Sequence, residues 1–182
     1  MFYRRHLPHW QKADSALFVT WRLHGSLPRR TLSASLKESN LGKRFLLLDQ
    51  ELDRAAYGPT WLKDVRLATA VVNALLHGAD QLDLYRLSAY VVMSNHVHIL
   101  IWPKALLYRI TKSIKGYTAH ECNKLLDRAG KKFWQDESFD HAVRNEDQFY
   151  RIKRYIERNP VNAGLVESPE DWPWSSAGRS NQ

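Results

Sequence analysis

The chain has 182 residues, 44% of them hydrophobic and 25% charged, the balance of a chain that folds around a core and not of a disordered one. Lysine and arginine number 27 against 19 acids, a formal net charge of +8, which favours a partner built of phosphate polyanions. The single cysteine, Cys122, excludes an intramolecular disulfide and a Cys-x-x-Cys zinc site, and no apolar run reaches the roughly 20 residues that span a bilayer, so a reducing cytoplasm and no membrane are expected.

The N-terminus "MFYRRHLPHWQK" offers Arg4 and Arg5 as phosphate ligands and Trp10 as a stacking platform or a packing residue. "ALFVTWRL" (16–23) is rich in β-formers and reads as a first strand, broken by "HGSLPRR", which adds Arg29 and Arg30 to the basic set. Residues 31–60 read as a helical insertion of one or two peripheral helices ending at "YGPT", a stretch without visible chemistry. "WLKDVRLATAVVNALLHGAD" repeats apolar residues at helical spacing and suggests a core helix with Gly78 as its C-cap.

"LYRLSAYVVM" and "HVHILIWP" follow as two strands joined tightly through Ser94 and Asn95, hence a hairpin ended by Pro103. On the second strand His96 and His98 share one face, their Cβ atoms about 6 to 7 Å apart, while Val97, Ile99 and Ile101 form the core-facing stripe. Two imidazoles so placed suit a divalent metal with open positions for further ligands. Alone, the pair is better explained as polar residues on the solvated face of an amphipathic strand.

"LYRITKSIKGYTAHECNKLL" reads as a helix presenting Lys112 and Lys115, with Lys131 and Lys132 in the loop beyond. A short extended segment precedes a last helix that begins near Glu146 and is expected to stop at Asn159, before Pro160. Tyr155 and Asn159 lie four apart and so share a face of this helix, beside the apolar stripe of Phe149, Ile152 and Ile156. Taken singly, Tyr155 fits a core-edge tyrosine and Asn159 a helix terminator. The aromatic tail at 167–182 carries Trp172 and Trp174. The element order gives an α+β domain over residues 1–182, an antiparallel sheet with helices mainly on one face.

Three segments, "YVVMSNHVHIL", "FWQDESFDHAVRNEDQF" and "YRIKRYIERNPVNAGLV", with the looser "VTWRL" and "DWPWSS" at the ends, carry a resemblance that covers most of residues 84–176. In that order they resemble the REP-associated tyrosine transposases, relatives of the single-tyrosine insertion-sequence transposases within the HUH endonuclease superfamily. The resemblance implies a ferredoxin-like fold, a Mg²⁺ or Mn²⁺ ion held by His96, His98 and Asn159, and Tyr155 as the nucleophile that cleaves single-stranded or hairpin-forming DNA through a 5′-phosphotyrosine. It implies accessory roles for Gln135, His141 and Arg144, and a chain acting as monomer or homodimer. Tyr117 also follows the histidines on a helix but has no amide one turn later, and Tyr85, Tyr108 and Tyr150 have less support.

Three rival readings remain at this level. A histidine-triad nucleotide hydrolase would need a third alternating histidine where Leu100 stands. A DNA-binding module of the same fold could lack catalysis, and a metal-dependent nuclease could use water, leaving Tyr155 structural.

Overall fold

A computed structural model of the chain describes residues 15–179, so Arg4, Arg5 and Trp10 lie outside the described residues. Strand β1 (Leu17–Arg22) leads into two helices, α1 (Arg29–Lys37) and α2 (Leu41–Arg54), then a 3₁₀ turn at Trp61–Lys63 and helix α3 (Val65–Asp80). The hairpin β2 (Tyr85–Val92) and β3 (His96–Pro103) follows, then α4 (Leu107–Leu125), β4 (Phe139–Ala142) and α5 (Glu146–Asn162). The strands form one sheet in the order β2-β3-β1-β4, every neighbouring pair antiparallel. With α3 and α4 as the two crossovers, this is the ferredoxin-like arrangement expected from the sequence.

Alternation along the strands divides the interior in two. Leu17, Val19, Trp21, Val97, Ile99 and Ile101 face α3 and α4 and form the larger core. Phe18, Leu100 and Val91 face the other way and meet Ile156, Phe149 and Ile152 of α5 and Phe45 of α2. The helices are therefore distributed over both faces, with the crossover pair on one and α5 with α2 on the other. A β-bulge between Leu87 and Ala89 shifts the phase of β2, so that Tyr85 and Leu87 before it and Tyr90 and Val92 after it all serve the larger core.

Two local expectations are corrected. Gly78 does not cap α3, which runs on to Asp80. It is buried where a β-carbon would lie 2.6 Å from the Tyr85 hydroxyl oxygen, and that hydroxyl donates to the Leu75 carbonyl at 2.7 Å. Gly78→Ala is thus expected to lower stability by about 1–3 kcal/mol, read as a lowered denaturation midpoint at unchanged m-value. Helix α5 does not end at Asn159 but continues through Pro160 to Asn162. Proline so near the C-terminal end removes a single backbone donor from the last turn, which limits its cost. The aromatic C-terminal tail docks on the sheet: Ser175 bridges Val91, Val92 N–H donates to the Trp174 carbonyl, and the Trp172 indole donates to the Val92 carbonyl. It thereby covers the open edge of β2.

Among the described residues no helix is long and apolar enough to cross a membrane. Cys122 is buried, and burial pushes its thiol up to about 12, so it packs as an inert small hydrophobe.

Candidate metal and nucleophile site

The hairpin turn places the first imidazole. Asn95, at the turn, accepts a hydrogen bond from the His96 Nδ1 through its side-chain oxygen at 2.7 Å, and its amide nitrogen donates to the Leu52 carbonyl at the end of α2. One step along β3, His98 Nδ1 pairs at 2.7 Å with the Thr20 hydroxyl, its cross-strand neighbour on β1. With both Nδ1 atoms engaged, both Nε2 atoms are directed into the same space, and neither has a hydrogen-bond partner. Such outer contacts set the tautomer and ring orientation of metal-binding histidines.

Neither histidine reaches solvent: both are fully buried, stacked edge to face with ring centroids 4.6 Å apart. Burial and the neighbouring His98 push His96 down to about 3, so it is a neutral imidazole with a free lone pair at physiological pH. This corrects the picture of two imidazoles on an open, solvated face; helix α2 lies over them.

That helix is the feature sequence reasoning missed. Asp49, 2% exposed, sets its Oδ1 3.3 Å from His98 Nε2 and 3.9 Å from His96 Nε2, and Asp53 Oδ1 lies 3.6 Å from His96 Nε2. Burial pushes the Asp49 carboxyl up, but the electrostatic pull of the neighbouring His98 imidazole, with His96 behind, outweighs this and holds it below the usual carboxylate range. Asp53 goes the other way, pushed up to about 7 by burial and then by the negative charge of Asp49. The only sequence signal was one of phase: Phe45, Asp49 and Leu52 fall on one stripe of α2, and an acid in the middle of an apolar stripe needs a partner.

Helix α5 supplies the opposite wall. It starts at Asn145, whose side chain caps the Gln148 N–H, with Glu146 and Asp147 in the first turn where the helix dipole favours acids. Its buried stripe brings Tyr155 beside His98, ring centroids 5.8 Å apart, and the Tyr155 hydroxyl donates to Asp49 Oδ2. Phe18 and Phe45 hold the tyrosine ring from two further sides. One turn on, Asn159 is fully buried and both its amide atoms lack a hydrogen-bond partner. The structure therefore gathers His96, His98, Tyr155 and Asn159 at one place, and adds Asp49 and Asp53.

The other predicted residues are placed differently. His141 pairs with Phe18 in register, so it shares the site's face of the sheet, and its Nε2 accepts from the Gln148 amide at 2.9 Å. Gln135 pairs with His24 at 3.2 Å at the rim, and Arg144 is exposed. Lys115 donates to the carbonyls of Gln135 and Asp136, an anchor for that loop, and Lys132 is paired with Asp136 at 2.5 Å. Arg29, Arg30, Lys112 and Lys131 are exposed. Trp172 and Trp174 form an edge-to-face pair within the docked tail, centroids 5.3 Å apart. Tyr117 is exposed on α4, 57% accessible, and belongs to neither core cluster.

Unassigned by sequence reasoning, Arg22 lies opposite His96 in the β1–β3 register. It lines a cavity of about 690 Å³ between α1, α2 and the β1–β4 side of the sheet, together with Thr20, Asp49 and Gln135.

The family model described as "Transposase IS200 like" matches residues 64–159, more than half of the chain. The chain belongs to the IS200-like transposase family. The matched span of the family holds both histidines, Tyr155 and Asn159, and begins after α2, so Asp49 and Asp53 fall outside it. Within the curated proteins this member of the family is 31% identical over 99 residues to a "REP-associated tyrosine transposase" of Escherichia coli (strain K12), a match over 52% of this chain and 56% of that one. The chain thus spans about half the length of the curated relative it matches. A solved structure of a REP-associated tyrosine transposase bound to a REP hairpin superposes over 100% of this chain and 85% of its own, with a TM-score of 0.63 at 20% identity, which supports the fold.

Proposed function

We propose that this transposase is a divalent-metal-dependent enzyme that cleaves and rejoins single-stranded, hairpin-bearing DNA through a 5′-phosphotyrosine on Tyr155. The observation that carries the reading is the convergence of the Tyr155 hydroxyl with two buried imidazoles whose Nε2 atoms have no hydrogen-bond partner. It is supported by the family of the chain and by the hairpin DNA bound to the structural relative.

The donor set fits a metal ion: buried, unpartnered atoms of His96, His98, Asp49, Asp53 and Asn159 concentrate in one place, and nitrogen and oxygen donors of this kind suit Mg²⁺ or Mn²⁺. His96, His98 and Asn159 would hold such an ion, which would supply Lewis-acid polarisation of the scissile phosphate. Tyr155 would form its Oη–P bond as the P–O3′ bond breaks; the phenol's proton is released to solvent and the departing O3′ takes up a proton from solvent, leaving as a 3′-hydroxyl. One phosphodiester replaces another, so rejoining needs no ATP. Phe18 and Phe45 fix the ring, which keeps the nucleophile near its attack position before DNA arrives.

Arg22 and the exposed cations of α1 and α4 supply the charge for a DNA backbone. Arg22→Gln is expected to weaken hairpin DNA binding in anisotropy titrations and to reduce the slope of log K against log salt by about one, with little change in stability.

The test is incubation of the full chain with end-labelled, hairpin-bearing single-stranded DNA and Mn²⁺, followed by denaturing electrophoresis. An SDS-resistant labelled band is expected. Cleavage that yields free 5′-phosphate ends and no adduct would move the water-using nuclease ahead, and binding without cleavage across varied hairpins would favour a non-catalytic DNA-binding module.

A further inference from the structure

We propose that Asp49, delivered by helix α2 from outside the family-matched span, is a carboxylate ligand of the metal centre, which is then built from His96, His98 and Asp49 with the Asn159 amide alongside. The inference rests on the reading that the imidazole pair holds a divalent ion. It changes the ligand set and gives the segment 31–60 a chemical task.

Four observations carry it. The ligand atoms of Asp49, His96 and His98 all lie within 4.8 Å of one another and all three residues are buried. A carboxylate 2% exposed is costly without a counter-charge, yet among the described residues no lysine or arginine pairs with Asp49 or Asp53, and their Oδ1 atoms have no hydrogen-bond partner. A divalent cation would balance the two acids at once, and a carboxylate oxygen added to two imidazoles makes a harder donor set, better matched to Mg²⁺ or Mn²⁺ than nitrogen donors alone.

The placement is also built in. Asn95 is bonded both to His96 and to the last turn of α2, so one side chain sets the distance between imidazole and carboxylate helix. Finally, the two oxygens of Asp49 are divided: Oδ1 faces the imidazoles while Oδ2 accepts from the Tyr155 hydroxyl. Asp49 therefore ties the nucleophile to the metal ligands across three separate elements. Asp49 also lines the cavity bordered by Thr20 and Arg22, so open space reaches this carboxylate.

Metal binding is measured on the full chain without DNA, by calorimetric titration with Mn²⁺ and by the rise in Tm that Mn²⁺ produces, in wild type, Asp49→Asn and Asp49→Glu. Circular dichroism of each variant establishes that it is folded. Asp49→Asn keeps the shape but loses the charge, and is expected to bind Mn²⁺ about tenfold or more weakly with a correspondingly smaller Tm rise, whereas Asp49→Glu retains the greater part of both. An Asp49→Asn protein with the wild-type Mn²⁺ affinity would overturn the assignment. So would a wild-type chain that forms the tyrosine adduct yet binds no Mn²⁺, a result that leaves the tyrosine chemistry standing. A folded Asp49→Ala chain that binds Mn²⁺ normally and forms more adduct than wild type would also overturn it, by making Asp49 a plug over the site. Asp49-dependent Mn²⁺ binding without any DNA adduct would uphold the ligand while removing the proposed strand transfer.

Discussion

Tyr155→Phe abolishes the SDS-resistant protein–DNA adduct while the protein stays folded and still binds hairpin DNA. The substitution removes one oxygen, and with it the atom that would bond to phosphorus. Because the Thr20 hydroxyl is held on His98 Nδ1, away from the unpartnered Nε2 atoms, it does not replace the phenol, and cleavage through the tyrosine route is expected to fall by about 10³-fold or more. The same oxygen is the donor to Asp49, so the variant without metal should also lose about 1–3 kcal/mol of stability, the cost of a buried acceptor left without its partner. Added Mn²⁺ would offset that loss in a thermal melt. DNA affinity, set by cations at other positions, should change little. Tyr117→Phe, on the exposed face of α4, should behave as wild type in every one of these measurements.

The second large effect is expected at the histidines. His98→Ala should lower metal-dependent cleavage by about 10³-fold, since the polarising contribution of a catalytic metal is worth several kcal/mol. It should also lower Mn²⁺ affinity, and extra Mn²⁺ should restore part of the rate only if the remaining ligands still bind. His98 packs against Phe18 and Phe45 and bonds to Thr20, so His98→Gln serves as the companion variant that fills more of the space. Loss of activity in both, with native circular dichroism, separates a ligand from a packing residue. Thr20→Val, which leaves the His98 ring without its Nδ1 partner, should give a smaller loss of about 10- to 100-fold in Mn²⁺ affinity.

Much of this arrangement could be read from the chain alone because it rests on local periodicity. The period-two alternation of β3 set His96 and His98 on one face and Val97, Ile99 and Ile101 on the other, and the structure keeps that division. The four-residue spacing of Tyr155 and Asn159 on α5 likewise put both against the sheet. Local signals misled where tertiary contacts decide. Gly78 looked like a helix cap but is required by the Tyr85 hydroxyl, seven residues further along the chain. Asn159 looked like a terminator because Pro160 follows it, yet the helix absorbs the proline near its end.

The largest omission was α2. Its contacts with the site cross more than 40 residues of chain, through Asp49 to His98 and Tyr155 and through Leu52 to Asn95. Nothing in the order of residues 41–54 announces a partner that distant. The acid within the apolar stripe shows only that something charged or polar must meet it. The burial of His96 and His98 follows from the same helix, which is why a strand face expected to be open is covered.

The most direct test of tyrosine-mediated cleavage is to trim the adduct with nuclease, digest it with trypsin and locate the added nucleotide by mass spectrometry. Trypsin cuts after Arg154 and Arg158, so a nucleotide joined by its 5′-phosphate to the peptide spanning residues 155–158 is expected. A nucleotide found on the peptide containing Tyr117, or cleaved DNA with free 5′-phosphates and no modified peptide, would contradict it.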